Sequence, residues 1–454
     1  MRPEILKIGE VLKSLSNTKD IKPLKRHVQT TLVGGEAIED WSFIKANTSY
    51  LTHGLHEYPA RMIPQIAKRL ILRYSPENGK ILDPFCGSGT TLVEARLACR
   101  YSIGVDINPL AVLLTKVKAT PIDFKDIEFD ATEFMKKLEV NYIHAKKTGR
   151  LPAPPLYIHR NLLHWFKESV ARDLEFIYQK INEVENQDII DLLKVVFSDT
   201  VFRTSNIDHR SSRFIRILPK EKLSSYNPNV LNYFRKKLID SVQKVARFTR
   251  EVKRIESRWK PKLPVVKTIR DDARKLPFKN DEFDAIITSP PYGEEKNTVA
   301  YCRWAKLALA WLRINSKLIR ETEKLSLGGS ISVDVYKQLD VMPSPTVKNL
   351  LKEIAEKDAQ RVKDALPFFF DYSRCLKEMY RVLKPGGYCC IVIGDRSIRR
   401  RLLDMEKVTV ELAEDANFTH KESFFRRIPQ KMIPWTTPTG KTISRESIII
   451  LVKK

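Results

Sequence analysis

With 454 residues the chain has room for two domains, or for one core carrying a large insertion, and 43% hydrophobic residues is ordinary for a water-soluble protein. No apolar run reaches membrane-spanning length, Met1-Arg2-Pro3-Glu4-Ile5 lacks a secretory signal's apolar core, and the six cysteines show no zinc-type spacing, which leaves a reduced, cytoplasmic protein without a metal site. A net charge of +25 is the footprint of a polyanion ligand, or of many cations that simply solvate a surface.

Residues 1–45 read as an N-terminal arm with basic stretches and no motif. The first regular unit is a strand over Lys80–Phe85, a glycine turn, a helix over Leu92–Ala98, a strand over Ser102–Ile107 and a helix over Pro109–Lys118. In the turn Asp83-Pro84-Phe85-Cys86-Gly87-Ser88-Gly89-Thr90-Thr91, Gly87 and Gly89 let backbone pass close to a ligand, and the helix N-terminus favours an anionic group. The lysine of a phosphate-binding loop is missing, so an NTPase is a poor reading. Asp106 ends the following strand, as expected of a carboxylate that binds ribose hydroxyls.

Residues 125–261 read as a helical insertion between the second and third strands, with helices over Asp130–Leu138, Asn161–Val184, Asp188–Thr200 and Asn229–Trp259. In the last of these, Val245, Phe248, Val252, Ile255 and Trp259 form an apolar stripe, and Lys244, Arg247, Arg250, Arg254 and Arg258 run along a neighbouring face. That face is either a solvated edge or a surface tracking DNA phosphates. The polar stretch Ser205 to Arg213, with Arg210 and Arg213, suits contacts to phosphate or base edges, although an ordinary surface loop has similar composition.

The sheet resumes over Val265–Arg270, Asp284–Thr288 and Gly387–Gly394, with a helix over Asp371–Leu383 stopped by Lys384-Pro385-Gly386-Gly387. Residues 423–430 and 444–452 read as an antiparallel pair, and the charged helical segment 313–365 reads as a lid or a DNA-facing flap. The apolar run before Thr288-Ser289-Pro290-Pro291-Tyr292 places that turn at a strand's carboxyl end. Two prolines hold φ and lack N–H donors, so free carbonyls, one hydroxyl and one aromatic face are offered to a planar ring bearing an exocyclic amine.

The glycine turn together with Ser-Pro-Pro-Tyr resembles the S-adenosylmethionine-dependent amino-methyltransferases of DNA, and Ser before Pro-Pro-Tyr is similar to their cytosine-N4 branch. The likeness covers roughly Ser49–Ala119 and Val265–Lys454, including Thr52 to Arg61 and the stretch Arg270 to Phe278. It implies an α/β, Rossmann-like methyltransferase sheet with a C-terminal antiparallel hairpin and a large helical insertion. Residues 46–124 and 262–454 would form the two halves of the catalytic domain, and 125–261 a target-recognition insertion.

For S-adenosyl-L-methionine, the resemblance implies that Tyr58 and Pro59 cover the methionine end, and that Asp83, Phe85, Gly87 and Gly89 shape the pocket. Thr90 would meet the methionine carboxylate, Asp106 the ribose, and Asp272 rather than Asp271 the adenine amine. Ser289 and the Pro290 carbonyl would grip the target amine, Pro291 stiffen the turn and Tyr292 stack on the base. Arg210, Arg213, Arg247, Arg250 and Arg254 are the candidate contacts to double-stranded DNA. His53 and His56 read as turn residues, and Cys86 as packing. The resemblance further implies a monomer, serving in restriction–modification beside a cognate endonuclease.

A ring-carbon cytosine methyltransferase needs an attacking thiol, typically in Pro-Cys, and that dipeptide does not occur. An adenine-N6 enzyme, a tRNA guanine-N2 methyltransferase and a non-catalytic DNA-binding module remain as alternatives. The tRNA enzymes usually carry an upstream RNA-binding domain, for which the roughly 50 residues before the cofactor segment are too few.

Overall fold

The computed structural model describes residues 30–33, 36–208, 217–258, 265–294, 298–299, 301–329, 335–428, 436–437, 440–441 and 445–454. Seven strands build its main sheet: β1 (Lys80–Asp83), β2 (Tyr101–Asp106), β3 (Val266–Arg270), β4 (Phe283–Thr288), β5 (Leu383–Gly394), β6 (Thr419–Arg427) and β7 (Arg445–Val452). Their spatial order is β6-β7-β5-β4-β1-β2-β3, parallel except for β7, which is antiparallel to both β5 and β6. This is the Rossmann-like methyltransferase arrangement with its terminal hairpin. Strand order reverses direction between β1 and β4, which opens a crevice at their carboxyl ends.

Helices α1 (Pro64–Tyr74), α2 (Thr90–Leu97) and α3 (Pro109–Ala119) accompany the first two strands. The insertion between β2 and β3 contains α4 (Phe124–Lys147), α5 (Glu168–Ile181), α6 (Gln187–Thr204) and α7 (Val230–Glu256). Between β4 and β5 lie α8 (Tyr301–Trp311), α9 (Ser316–Leu325), α10 (Pro345–Ala355) and α11 (Ala359–Val382), and α12 (Met405–Asp415) precedes β6.

The sheet is apolar on both faces because both are covered. Ile81, Ala285, Ile287, Cys390, Ile448 and Ile450 pack toward α1, whereas Leu82, Ile286, Cys389, Ile391, Ile449 and Leu451 pack toward α11 and α12. Each fully buried aliphatic side chain contributes about 1.5–3 kcal/mol, so these alternating rows hold the strand ends in register beneath the crevice. The insertion is not separate: its core takes in Leu110 and Leu114 of α3 and Ala305, Ala308 and Trp311 of α8.

Several element boundaries differ from the sequence reading. The expected helix Asn161–Val184 is broken, since Phe166 is extended and buries its ring edge-on to Trp311, with centroids 5.6 Å apart. Helix α11 begins at Ala359 and runs through Pro367, whose neighbours Leu366, Phe368 and Phe369 are fully buried; that packing overrides the proline's missing donor. Lys384 to Gly387 is not a loop between helix and strand but part of β5. The pairing with β4 jumps there from Phe283↔Leu383 to Ala285↔Tyr388, with Gly386 at φ +75°. The described residues of segment 313–365 are packed rather than free, with Val347 and Leu351 buried in the cluster that contains α11 and one face of the sheet. Trp259 lies outside the described residues. Among the described residues no helix is long and apolar enough to cross a membrane.

Candidate active site

The crevice is a pocket open to solvent at the carboxyl ends of β1, β2 and β4. Tyr58, Pro59, Asp83, Phe85, Gly87, Thr90, Asp106, Asp272, Ser289 and Pro291 all line it, drawn from stretches some 200 residues apart. The join is made at the strand ends. Thr288 at the end of β4 donates its hydroxyl hydrogen to Asp83 Oδ1 at the end of β1 at 2.6 Å, and Phe85 N–H donates to the same oxygen at 3.1 Å.

The glycine turn is organised around Asp106. Gly87 N–H donates to Oδ2 at 3.0 Å and Asn108 N–H to Oδ1 at 2.8 Å. Two carboxylate oxygens have about four acceptor positions, so lone pairs remain for a ligand's hydroxyls. Burial pushes both Asp83 and Asp106 up to about 6. Gly87 stands at φ +49°, and a Cβ there would lie 3.2 Å from the Tyr58 ring, so side-chain-free backbone and the cover segment face each other at this point.

Gly89, Pro290 and Tyr292 are set apart from the other expected site residues. Gly89 caps α2 at φ +82° and a Cβ there would come within 2.8 Å of Thr115, so packing of the turn on α3 requires its missing side chain. It lies outside the cavity lining, as do Pro290 and Tyr292. Ser289 Oγ is buried without a hydrogen bond of full geometry, and the Tyr292 hydroxyl lies close enough to interact with it. The Tyr292 ring packs in the apolar cluster on the α11 side of the sheet and is 8% exposed, and its hydroxyl donates to Glu446 Oε1 at 2.9 Å.

At the far end of the cavity Asp271 and Asp272 both contribute lining. Arg274 donates to both oxygens of Asp272 at 2.7–3.1 Å, and also to Asp371 at 2.9 Å and to the Leu325 carbonyl at 3.0 Å. It thereby ties this end to a wall that sequence reasoning missed, formed by Tyr301, Cys302, Leu325, Ser326 and Leu327. Only the break at Gly328-Gly329 hinted at that wall, since contacts made across the fold leave no periodic signal. Arg61 was also missed; it lines the cavity and donates to the carbonyls of His53 and Thr48.

The two histidines are structural. His53 Nε2 meets Glu94 Oε1 at 2.7 Å, and His56 Nε2 meets Ser198 Oγ at 3.0 Å. Burial lowers both, His56 to about 4, so each is neutral at pH 7. Burial raises the Cys86 thiol well above its usual value, which fits a packing residue.

The proposed cationic face of α7 is divided. Arg254 is paired with Glu251 at 2.5 Å, and Lys244 with Asp240 at 2.7 Å. Arg247 is exposed and Arg250 half-buried, each without a protein partner among the described residues. Arg210 and Arg213 lie outside the described residues.

A parallel sheet with this hairpin, and a switch-point cavity holding a glycine turn and a strand-end carboxylate, define an S-adenosylmethionine-dependent methyltransferase. Within that class the chain belongs to the DNA methylase family of the N6/N4 type, whose profile matches residues 12–116 and 283–454. It is 34% identical over 435 residues to the Type II methyltransferase M.MvaI of Kocuria varians, covering 91% of this chain and 93% of that one. It is 24% identical to the Type II methyltransferase M.BsoBI of Geobacillus stearothermophilus, covering 82% and 80% of the two chains. A solved S-adenosylmethionine-dependent methyltransferase from Methanosarcina mazei aligns with 85% of this chain and 96% of its own at 12% identity and a TM-score of 0.30.

S-adenosylmethionine is the cofactor, and the lining fits it. Asp106 keeps free lone pairs, Gly87 leaves room for close approach, and Ser88 Oγ is a buried hydroxyl without a partner on the cavity wall.

Proposed function

We propose that this DNA methyltransferase modifies the exocyclic N4 amine of a cytosine flipped out of duplex DNA. The observation that carries the reading is the place of Ser289: its buried hydroxyl stands before Pro290-Pro291 at the end of β4, on the wall shared with the glycine turn and beside the Tyr292 hydroxyl. A cytosine amine is a poor nucleophile because its lone pair is delocalised into the ring. Ser289 Oγ and the Pro290 carbonyl would accept the amine's hydrogens and bend it out of conjugation, freeing the lone pair. The bound cofactor supplies a methyl group made electrophilic by its sulfonium. The chain's own contribution is placement, with Asp106, the glycine turn and Tyr58 on one side and the Ser289 turn on the other.

Unstacking the base costs a few kcal/mol, roughly, and cationic contacts from the insertion, residues 125–261, offset it. Arg247 and Arg250 are the described residues offered for this role. Residues 46–124 and 262–454 then act as one catalytic unit, with a cognate endonuclease reading the same site.

The test is to incubate duplex DNA with the chain and methyl-labelled cofactor, digest it to nucleosides and separate them. Labelled N4-methyldeoxycytidine is expected. Label in N6-methyldeoxyadenosine overturns the cytosine assignment, and label entering tRNA but not DNA overturns the DNA reading.

A further inference from the structure

We propose that Glu446, carried by β7 and oriented by Arg426, is a positioning residue that sets the place of Tyr292 and through it the geometry of the amine-accepting turn. The inference rests on the reading of Ser289 to Tyr292 as the catalytic turn.

Pro290 and Pro291 have fixed φ but no N–H to donate, so the turn must be held largely by side chains. Two such anchors follow it directly. The Tyr292 hydroxyl donates to Glu446 Oε1 at 2.9 Å, and Arg426 Nη1 of β6 donates to Glu446 Oε2 at 2.5 Å. Glu446 and Arg426 are 13% and 12% exposed, so this is an interior contact and not a surface pair. Register explains the reach: Glu446 stands opposite Gly394, the last residue of β5, beside the end of β4. One residue beyond Gly293, Glu294 is fixed separately, by Arg396 at 2.5 Å and Arg361 at 2.6 Å. Gly293 itself is pressed against Arg396, since a Cβ there would lie 2.5 Å from Nη1.

The exit of the turn is therefore immobilised by the Glu294 pair, which leaves the Tyr292–Glu446 bond to choose the ring's orientation. Burial raises the phenol well above its usual value, so it remains a donor at working pH. The terminal hairpin, in this account, does more than complete the sheet: it supplies the acceptor that orients the aromatic residue.

The experiment compares full-length wild type with Y292F, E446A, E446Q, the double variant Y292F/E446A and Y292A, measuring kcat on duplex DNA and cofactor Kd for each. Y292F keeps the ring and removes only the hydroxyl; E446Q keeps an acceptor oxygen and E446A does not. Y292F and E446A should each lower kcat by roughly 10- to 100-fold, the worth of a buried hydrogen bond to a charged acceptor, with cofactor Kd within about twofold of wild type. E446Q, whose single amide oxygen cannot accept from both Tyr292 and Arg426, should fall between wild type and E446A, and the double variant should fall no further than either single one, because both remove the same bond.

A Y292F rate equal to wild type overturns the proposal, as does a double-variant loss equal to the product of the single losses. If E446A fails to fold, with Arg426 left unpaired, Y292F still decides, since it leaves that ion pair intact. Y292A separates the two levels. A dead Y292A beside a fully active Y292F removes the role of Glu446 alone, whereas an active Y292A removes the catalytic reading of the turn.

Discussion

Replacing Asp106 with Asn tests the cofactor half of the cavity. The carboxylate accepts Gly87 N–H at 3.0 Å through one oxygen and Asn108 N–H at 2.8 Å through the other. A carboxamide has one oxygen, so one of those backbone donors would face an NH2 group, and the glycine turn loses either its tie to β2 or its approach to α3. A hydrogen bond to a charged acceptor is worth about 1.5–3 kcal/mol, and the ribose hydroxyls lose the same acceptor. At about 1.4 kcal/mol per decade, the cofactor Kd should rise roughly 10- to 150-fold. Calorimetric titration of D106N with S-adenosylmethionine measures this, with thermal unfolding as a check that the fold survives. A D106N dissociation constant within twofold of wild type would refute the assignment of Asp106 to the cofactor.

Ser289→Ala should lower kcat about 100- to 1,000-fold while leaving cofactor and DNA dissociation constants nearly unchanged, as for loss of a group used only in the transition state; single-turnover kinetics separate the two. Because burial places Asp106 near pH 6, cofactor affinity should strengthen about tenfold between pH 5 and pH 7 as the carboxylate ionises, with a shallower profile in D106N. In the cofactor-free chain the same raised values for Asp83 and Asp106 act on stability with the opposite sign. The folded state holds protons that the unfolded chain has released, so their contribution is present below pH 3.8 and is lost as pH rises through about 6, which thermal melts across that window would show. Replacing Arg247 and Arg250 together with Ala should weaken DNA binding and flatten its salt dependence by up to about 0.9 log units per lost phosphate contact; an unchanged slope assigns α7 to packing alone.

What the sequence disclosed, and what it did not, follows from the range of the interactions involved. The glycine turn, Asp106 and the Ser289 turn are contiguous motifs at strand ends, and apolar runs bounded by turn residues locate those strands to within a few residues. The insertion was visible as a change to 3.6-residue periodicity. At Gly89 the limit is local: the sequence marks a positive φ but cannot say that Thr115 stands where a side chain would go. The error at α11 arose because Pro367 carries a helix-breaking signal that burial of Leu366, Phe368 and Phe369 outweighs. Glu446, Glu294 with Arg396, and the wall at Leu325–Leu327 were invisible because each acts through partners 50 to 150 residues away.

The most direct test is a crystal structure of the chain with a non-transferring cofactor analogue and duplex DNA carrying its recognised site. The sulfonium position should lie in the Gly87–Asp106 half of the cavity, with an extrahelical cytosine N4 about 3–3.5 Å from the methyl position and within hydrogen-bonding reach of Ser289 Oγ. A cofactor seated elsewhere, or an unmoved cytosine with Ser289 remote from any base, would contradict the account.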